Sequence, residues 1–463
     1  MAFKTTTTII ACLATFLGVS QTQLEVSPSL QEAIEKAIDK NAAIKNKLLE
    51  VEKINTERKS VWNKYIPKIE GSANYMYFDT NITVDLPTGQ IPVLNQPIFD
   101  EKASFDNYGN ILMGSLMAKT VLFSGFQIEN GAKALAQKQQ GTTYLAEAEK
   151  ENLVKEVIHA FDQIRLLDAI EILLEDSQKR LAIETKRVER AIEEGLAIPY
   201  DRDKIKLANL ELEGKKIELE GNKKVLFQKI NYLTGYTLEE INQVNYLLTP
   251  YSIPENLSTE NKQELKALAS YKKASAYAIK KEKGSYLPVL GAFGGVSYTS
   301  VFDATVITPN LPIMNNNLYG KLNEFTLSPN WMLGVSMKWE LFSGFERKHK
   351  IHKAKLNALQ IDNKLTDAKE KFNVLLENNI SQYQIQNQKY QIGLTQEKVA
   401  SHNLSMAIKQ YQEGLINISQ RLEAENDLLK AATNKVNALI NQRLAALEAI
   451  LVTGELTNTV LTQ

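Results

Sequence analysis

Two long segments of the chain carry apolar residues alternately four and three positions apart, the spacing of a helix that packs along one stripe. From Ser124 to Gly195 the sequence has no proline and few glycines. We therefore expect one helix of roughly 70 residues there, about 105 Å long. The stripes consist of Leu153, Val157, Ala160, Ile164 and Leu167 in the first segment and of Ile361, Leu365, Ala368, Phe372 and Leu375 in the second.

Other segments alternate apolar residues with small or polar ones, the pattern of a β-strand that has two different faces. The alternation is clearest from Trp331 to Leu341 and weaker from Tyr108 to Phe123. Segments 69–78 and 289–302 are rich in Tyr, Phe, Gly and Ser and also read as strands. The pattern predicts two β-hairpins, 68–123 and 289–342, whose strands suit the roughly 9–11 residues of a transmembrane strand.

Short motifs recur at a constant distance of 219 residues. Leu-Phe-Ser-Gly-Phe at 122–126 recurs at 341–345, Glu-Gly-Leu at 194–196 recurs at 413–415, and Thr-Gly at 234–235 recurs at 453–454. Tyr-x-Pro at 65–67 recurs at 286–288, so the segment after it differs in length by two residues, as loops do. The chain is therefore a tandem duplication of one helical and strand-containing unit.

The duplication divides the chain into a first repeat at 21–235 and a second at 261–454. Each contains a helix (about 29–64 in the first), a hairpin, and a long helix that turns back at a tip near 195 or 414. An irregular segment at 236–260 interrupts the returning helix at mid-height, and a tail occupies 455–463. We expect a mainly α fold with long antiparallel coiled-coil helices and four strands per chain.

Composition excludes several kinds of partner and compartment. Lys and Arg total 54, as do Asp and Glu, so no basic surplus of the kind that nucleic acid demands is present. The apolar run near the N-terminus predicts a signal peptide at 1–20, which includes the single cysteine, Cys12. The mature chain then has no cysteine, and it has no apolar run of about 20 residues. Membrane spanning would have to rely on strands.

Four strands cannot close a barrel, since the smallest membrane barrels have about eight. An open edge in lipid would leave backbone groups unpaired. Two chains would supply eight strands and three would supply twelve, so we expect a barrel shared between chains. Trp331 and Trp339 are candidates for a lipid-facing aromatic belt. Lys119 and Lys338 lie on the small or polar face and would line the pore, either tuning anion passage or as ordinary lumen residues.

The chain resembles the TolC-like outer-membrane efflux family. The resemblance lies in the order and spacing of three repeated motifs: Tyr-x-Pro before each hairpin, Leu-Phe-Ser-Gly-Phe after it, and Gly-Leu at each helix turn. The resemblance implies a homotrimer with a transmembrane β-barrel of 12 strands, embedded in outer-membrane lipid. It also implies a helical tunnel through the periplasm, whose tip docks on a periplasmic adaptor and an inner-membrane pump. The implied function is passive export through the outer-membrane channel-tunnel of a tripartite efflux or type I secretion system, not enzymatic catalysis.

The resemblance also assigns roles to residues at the two turns. The tip and adaptor-docking candidates are Glu194, Gly195, Leu196, Glu413, Gly414 and Leu415. In relatives the second turn reads Tyr-x-x-Gly, with an Arg two residues later and two acidic residues farther along. Tyr411 and Gly414 match, but Ile416 replaces the Arg. Gln420 and Glu423 occupy the acidic positions and, with Tyr411 and Asp201, are the candidates for a periplasmic gate.

Three copies of Glu423 around one axis would favour the passage of cations. Alternatively, Glu423 is an ordinary solvated residue on the surface of the helix.

His349 and His352 share a helix face, yet no cysteine or acidic cluster completes a metal site, so we expect neither metal nor cofactor. No phosphate loop or nucleophile elbow is present in the sequence.

Two alternative functions remain. One is a periplasmic adaptor or scaffold with helical hairpins, and the other is a plain coiled-coil fibre.

Overall fold

The computed structural model describes residues 26–85, 102–308 and 316–461. The predicted signal peptide at 1–20, with Cys12, lies outside the described residues, as do the last two residues of the predicted tail. The connections of both hairpins are likewise described only in part, because residues 86–101 and 309–315 are outside these ranges.

The chain forms two compact units. Unit 1 comprises the described residues of the ranges Met1–Val51, Gln140–Ala269 and Asn363–Gln463. Unit 2 comprises Glu52–Gln139 and Ser270–Asp362. All four strands belong to unit 2, and the turns at Gly195 and Gly414 belong to unit 1.

Helices account for most of the described chain. Their bounds are α1 Pro28–Lys40, α2 Ala42–Trp62, α3 Gln127–Glu193, α4 Pro199–Thr234, α5 Leu238–Gln243, α6 Gln263–Lys283, α7 Glu346–Gln412, α8 Ile418–Thr453 and α9 Leu456–Leu461. The two longest, α3 and α7, have 67 residues each, close to the length expected from the absence of proline. Each bound of α7 and α8 lies 219 residues after the matching bound of α3 and α4.

The first predicted helix, 29–64, is in fact two helices separated at Asn41. The backbone of Asn41 is extended, with φ −62° and ψ 119°. Its side-chain oxygen accepts a hydrogen bond from the backbone N–H of Ile44 at 3.0 Å. Asn competes for backbone groups in this way and is favoured at helix starts, so it ends α1 and begins α2.

The main core of unit 1 contains the apolar stripe of the first segment. Val154, Val157, Ile158 and Phe161 of α3 are fully buried with residues of α1 and the C-terminal half of α8. Side chains of α8 donate hydrogen bonds to the backbone of the irregular segment after α5 and so hold it against this core. Arg443 donates to the Thr249 carbonyl at 2.7 Å, and the Gln442 amide donates to the Tyr251 carbonyl at 2.6 Å.

Unit 2 contains one antiparallel sheet with strand order β1-β2-β3-β4. The strands are β1 Lys68–Asp85, β2 Lys102–Phe123, β3 Val289–Ile307 and β4 Tyr319–Lys338. At 18 to 22 residues they are longer than the predicted segments and about twice as long as the roughly 9–11 residues of a transmembrane strand. The second hairpin also ends earlier than predicted, because β4 stops at Lys338 and leaves Trp339 outside the strand.

Each strand-to-helix connection uses a left-handed glycine. Gly125 has φ +64° and Gly344 has φ +57°. At Gly125 a side chain would also meet the carbonyl oxygen of Gly284 within 2.4 Å. The glycine of the repeated motif therefore adopts a backbone conformation that other residues rarely adopt, and Phe126 and Phe345, which follow the two glycines, also have positive φ.

Across the described residues, none of the helices combines the length and the apolar character needed to cross a membrane.

Candidate functional site: the two-faced sheet and the helix turns

The half of the sheet nearest the helices has two chemically different faces. Residues paired across an antiparallel ladder share a face, so the register sorts the side chains. One face carries Leu333, Val335 and Met337 of β4, and Leu333 is 81% exposed. Its other members are Ile69, Tyr75, Leu112, Leu116, Ala292, Val296 and Trp331. A broad apolar face of this kind, open to the surroundings, is typical of an interaction or membrane site.

The opposite face is mixed: it carries both predicted pore-lining lysines and also apolar side chains such as Met117, Phe293 and Met332. Lys119 pairs with Lys68 in the β1–β2 ladder, and its Nζ lies 4.0 Å from a carboxylate oxygen of Glu70. Lys338 lies at the end of β4 opposite Val289. Ser72 and Ser115 contact each other on the same face at 2.9 Å. The structure thus places Lys119 and Lys338 on one face, opposite the face that carries Leu333, Val335 and Met337.

The two belt candidates have different surroundings. Trp331 belongs to β4, lies on the apolar face and is 77% exposed. Trp339 follows the end of β4, and its indole N–H donates to the Tyr286 carbonyl at 3.1 Å. An aromatic ring that has one hydrogen-bonding end suits a boundary between apolar and polar surroundings.

Both helix turns in unit 1 are closed by the same hydrogen-bond pattern. Gly195 has φ +74° and Gly414 has φ +72°. The N–H of Leu196 donates to the Ala191 carbonyl at 2.7 Å, and that of Leu415 donates to the Gln410 carbonyl at 2.8 Å. These are six-to-one bonds that follow a left-handed glycine, so they satisfy carbonyls at the helix end.

The predicted docking residues at the two helix turns are exposed. Leu196 is 78% exposed and Leu415 is 73% exposed, and Glu194 and Glu413 are exposed beside them. Unit 1 therefore presents two apolar side chains at its turns, each preceded by a glycine and a carboxylate.

Two gate candidates, Asp201 and Gln420, occupy equivalent capping positions. The Asp201 carboxylate accepts from the backbone N–H of Ile198 at 3.4 Å. Gln420 and Asn417 exchange reciprocal side-chain to backbone bonds of 3.1 and 3.0 Å. Both side chains therefore help to begin a returning helix. This local role differs from the gate role that the family resemblance implied for them.

The other two gate candidates, Tyr411 and Glu423, have different surroundings. Tyr411 packs against a small apolar cluster of Val188, Ile205 and Ile418. Burial raises the pKa of the Tyr411 hydroxyl, and the negative charges of Glu184 and Asp201 raise it further. Glu423 is exposed and lines a groove of about 360 Å³ between α4 and α8.

A buried network of charges below the turns escaped the sequence analysis. Arg421 of α8 is 1% exposed, and its Nη1 lies 3.1 Å from a Glu425 oxygen. Glu425 also accepts from Arg180 at 2.8 Å and from the Ser177 hydroxyl at 2.8 Å, both on α3. Glu184 of α3 lies 3.8 Å from Arg421 and 3.5 Å from Arg187. The network joins α3 to α8, and its local signals were the spacing of Arg421 and Glu425 by four and that of Glu184 and Arg187 by three.

The described residues contain no group of three or more His, Cys, Asp or Glu placed to hold a metal ion. His349 and His352 are both exposed near the start of α7.

Comparison with known proteins agrees with the geometry. Residues 256–453 match the family described as outer membrane efflux protein. No curated protein sequence matches. The fold resembles the CmeC outer membrane channel of Campylobacter jejuni, with a TM-score of 0.69 and 14% identity over 92% of this chain and 86% of that one.

Two further outer membrane proteins show the same likeness. The outer membrane protein VceC of Vibrio cholerae has a TM-score of 0.67 and 12% identity, over 92% of this chain and 96% of that chain. The MtrE outer membrane channel of Neisseria gonorrhoeae, in its open state, has a TM-score of 0.64 and 14% identity, over 92% and 89%. These likenesses show the fold, and the family match supports the predicted efflux function and outer-membrane location.

Residues 256–453 thus match the outer membrane efflux protein family, and nearly the whole chain is similar in fold to solved outer-membrane channels, in agreement with the resemblance that the repeated motifs indicated.

Proposed function

We propose that three copies of this chain form one outer-membrane channel-tunnel, through which substrates leave the cell envelope passively. The observation that carries the proposal is the four-stranded sheet, which exposes an apolar face and has β1 and β4 at its two edges. Edges of this kind are not tolerated in lipid, and pairing β1 of one copy with β4 of the next removes them. Three copies would supply a barrel of 12 strands.

The turns at Gly195 and Gly414 are proposed as the periplasmic end of the tunnel. The exposed Leu196 and Leu415 would contact an adaptor protein, and an inner-membrane pump would supply the energy. Their exposure supports this proposal, because contact with a partner would remove the apolar surface of both leucines from water. Glu423 and Tyr411 are proposed as gate residues, and Lys119 and Lys338 as lumen residues of the barrel.

The first test is fractionation followed by native mass determination of the detergent-extracted protein. We expect the chain in the outer-membrane fraction, with a native mass three times that of one mature chain and dissociation on heating. Conductance across a planar lipid bilayer would then test the channel directly. A monomer in the soluble periplasmic fraction would contradict the proposal and favour the adaptor or scaffold alternative.

A further inference from the structure

The helical segments of unit 2 carry a large excess of positive charge, although the whole chain is neutral. These segments are 52–67, 124–139, 270–288 and 339–362. They contain sixteen Lys or Arg and seven Asp or Glu, a surplus of nine. The four strands contain five basic and six acidic residues, a net charge of −1. We call the Lys and Arg residues of these four helical segments the basic collar.

Most of the basic collar is exposed and lacks a carboxylate partner. Lys348, Lys353 and Lys355 at the start of α7 are exposed, and no carboxylate oxygen of the described residues lies within 4.0 Å of them. Lys350 pairs with Glu346 at 2.7 Å, but both side chains are exposed, so water screens the pair. The uncompensated charge therefore produces a positive potential around this part of unit 2.

The basic collar begins where the apolar face of the sheet ends. Lys283 is six residues before the first residue of β3, and Lys348 is ten residues after the last residue of β4. Lys283 is the last residue of α6 and Lys348 is the third residue of α7, so both lie at the ends of the helices that adjoin the strands in the sequence. Trp339, with its hydrogen bond to the Tyr286 carbonyl, lies between the sheet and the collar. This is the order of apolar face, aromatic boundary and basic residues found beside membrane headgroups.

We propose that the basic collar binds the anionic headgroups of phospholipids in the periplasmic leaflet and thereby fixes the depth of the sheet in the membrane. The inference rests on the proposed function, because it requires the sheet to lie in the outer membrane. Lysine suits this role, since its apolar stem can follow the sheet boundary while the ammonium group stays at the headgroups. Continuity with the apolar face favours a lipid over a soluble anion.

The test compares the parent chain with a collar variant in which Lys348, Lys350, Lys353 and Lys355 are each changed to Gln. The control variant changes Lys206, Lys215, Lys216 and Lys224 of α4 to Gln. These lysines are also exposed, and the same charge is lost from unit 1. Each protein is reconstituted into vesicles of phosphatidylcholine alone or mixed with phosphatidylglycerol. Native mass spectrometry after release then counts the phosphatidylglycerol retained.

We expect the parent and the control variant to retain phosphatidylglycerol in preference to phosphatidylcholine. In the collar variant the preference should fall about fivefold or more, and in the parent it should weaken as salt is raised. Circular dichroism and native mass of the collar variant would show that its fold and assembly are intact.

Equal retention by the parent and the collar variant would overturn the inference. So would binding to purified peptidoglycan that depends on the collar while lipid retention does not, because the collar would then face the cell wall. A chain that enters vesicles of neither composition would instead refute the proposed function, and the collar inference with it.

Discussion

At the scale of single residues, the arrangement of buried charges stands out. Helix α8 carries two arginines, Arg421 and Arg443, that are each 1% exposed. Arg443 makes bonds of 2.7 and 2.8 Å to the two carboxylate oxygens of Asp162, while Arg421 lies among Glu425 and Glu184. Both arginines tie α8 to α3, so helices of the two repeats are joined by ion pairs as well as by apolar packing.

Changing Arg421 to Met should destabilise unit 1 because Glu425 and Glu184 would remain buried with less compensation. Breaking a buried pair typically costs about 3–5 kcal/mol, and we expect the lower end because Arg180 still contacts Glu425. Thermal unfolding of the detergent-solubilised protein measures the effect. Lys216→Met, at an exposed position of α4, is the control. Equal midpoints for the two variants would show that the network contributes nothing to stability.

Glu151 should make the stability of unit 1 depend on pH. Burial raises the pKa of its carboxyl to about 7, and the nearby Lys262 ammonium, at 3.6 Å, offsets this only in part. The group's ordinary pKa is 4.5, so the folded chain holds the proton more tightly. The resulting stabilisation is complete below pH 4.5 and is lost as the pH rises through about 7.

The difference amounts to as much as about 3 kcal/mol. Thermal midpoints at pH 5.5 and pH 8 should therefore differ more for the parent than for Glu151→Gln, which cannot ionise. Lys262 also pairs with Glu264 at 3.2 Å, so Glu264→Gln serves as a comparison. The same pH dependence in the parent and in Glu151→Gln would assign the titration to another group.

At the scale of elements, the sheet differs most from what its pattern suggested. Its strands of 18 to 22 residues exceed the roughly 9–11 needed to cross a bilayer. In the half near the helices, β4 presents Leu333 and Val335 on one side and Gly334 and Ser336 on the other, and the first side is the more apolar of the two. That half is accordingly the part we assign to the membrane.

Adjacent substitutions in β4 test this assignment. Val335→Lys would place a charge on the apolar face, at a cost of about 2–4 kcal/mol near the bilayer midplane. Ser336→Lys adds the same charge on the opposite face, which already carries Lys119 and Lys338, and should be tolerated. We expect Val335→Lys to reduce the amount of heat-dissociable assembly in the outer-membrane fraction, and Ser336→Lys to leave it unchanged. Equal amounts of assembly for both variants would argue against a lipid-facing Val335.

At the scale of the whole molecule, a single chain leaves apolar surface uncovered. Val374, Ile392 and Val399 along α7 are 67%, 56% and 54% exposed. A helix with an apolar face outside its own core is expected to pack against another chain. In the proposed trimer, neighbouring copies would cover this surface and would bring three copies of Glu423 towards one axis.

Glu423→Ala should therefore change the conducting properties of the assembly more than an ordinary surface substitution would. Three converging carboxylates favour cations, so their removal should lower the preference for cations over anions in a planar bilayer. Glu255→Ala, at an exposed position of the irregular segment, is the control. If Glu423→Ala and Glu255→Ala conduct alike, Glu423 is an ordinary solvated residue of α8.

The sequence by itself determined the duplication, the lengths of α3 and α7, the turns at Gly195 and Gly414, and the face pattern of β4. Each of these depends on local rules, such as periodicity, the exclusion of proline and the left-handed backbone of glycine. Only the tertiary structure decided that Arg421 meets Glu184 and that Arg443 meets Asp162, since these partners are more than 200 residues apart. It also decided that Asp201 and Gln420 cap helices and that β4 ends before Trp339, because hydrogen-bond partners and ladder ends depend on the packed backbone.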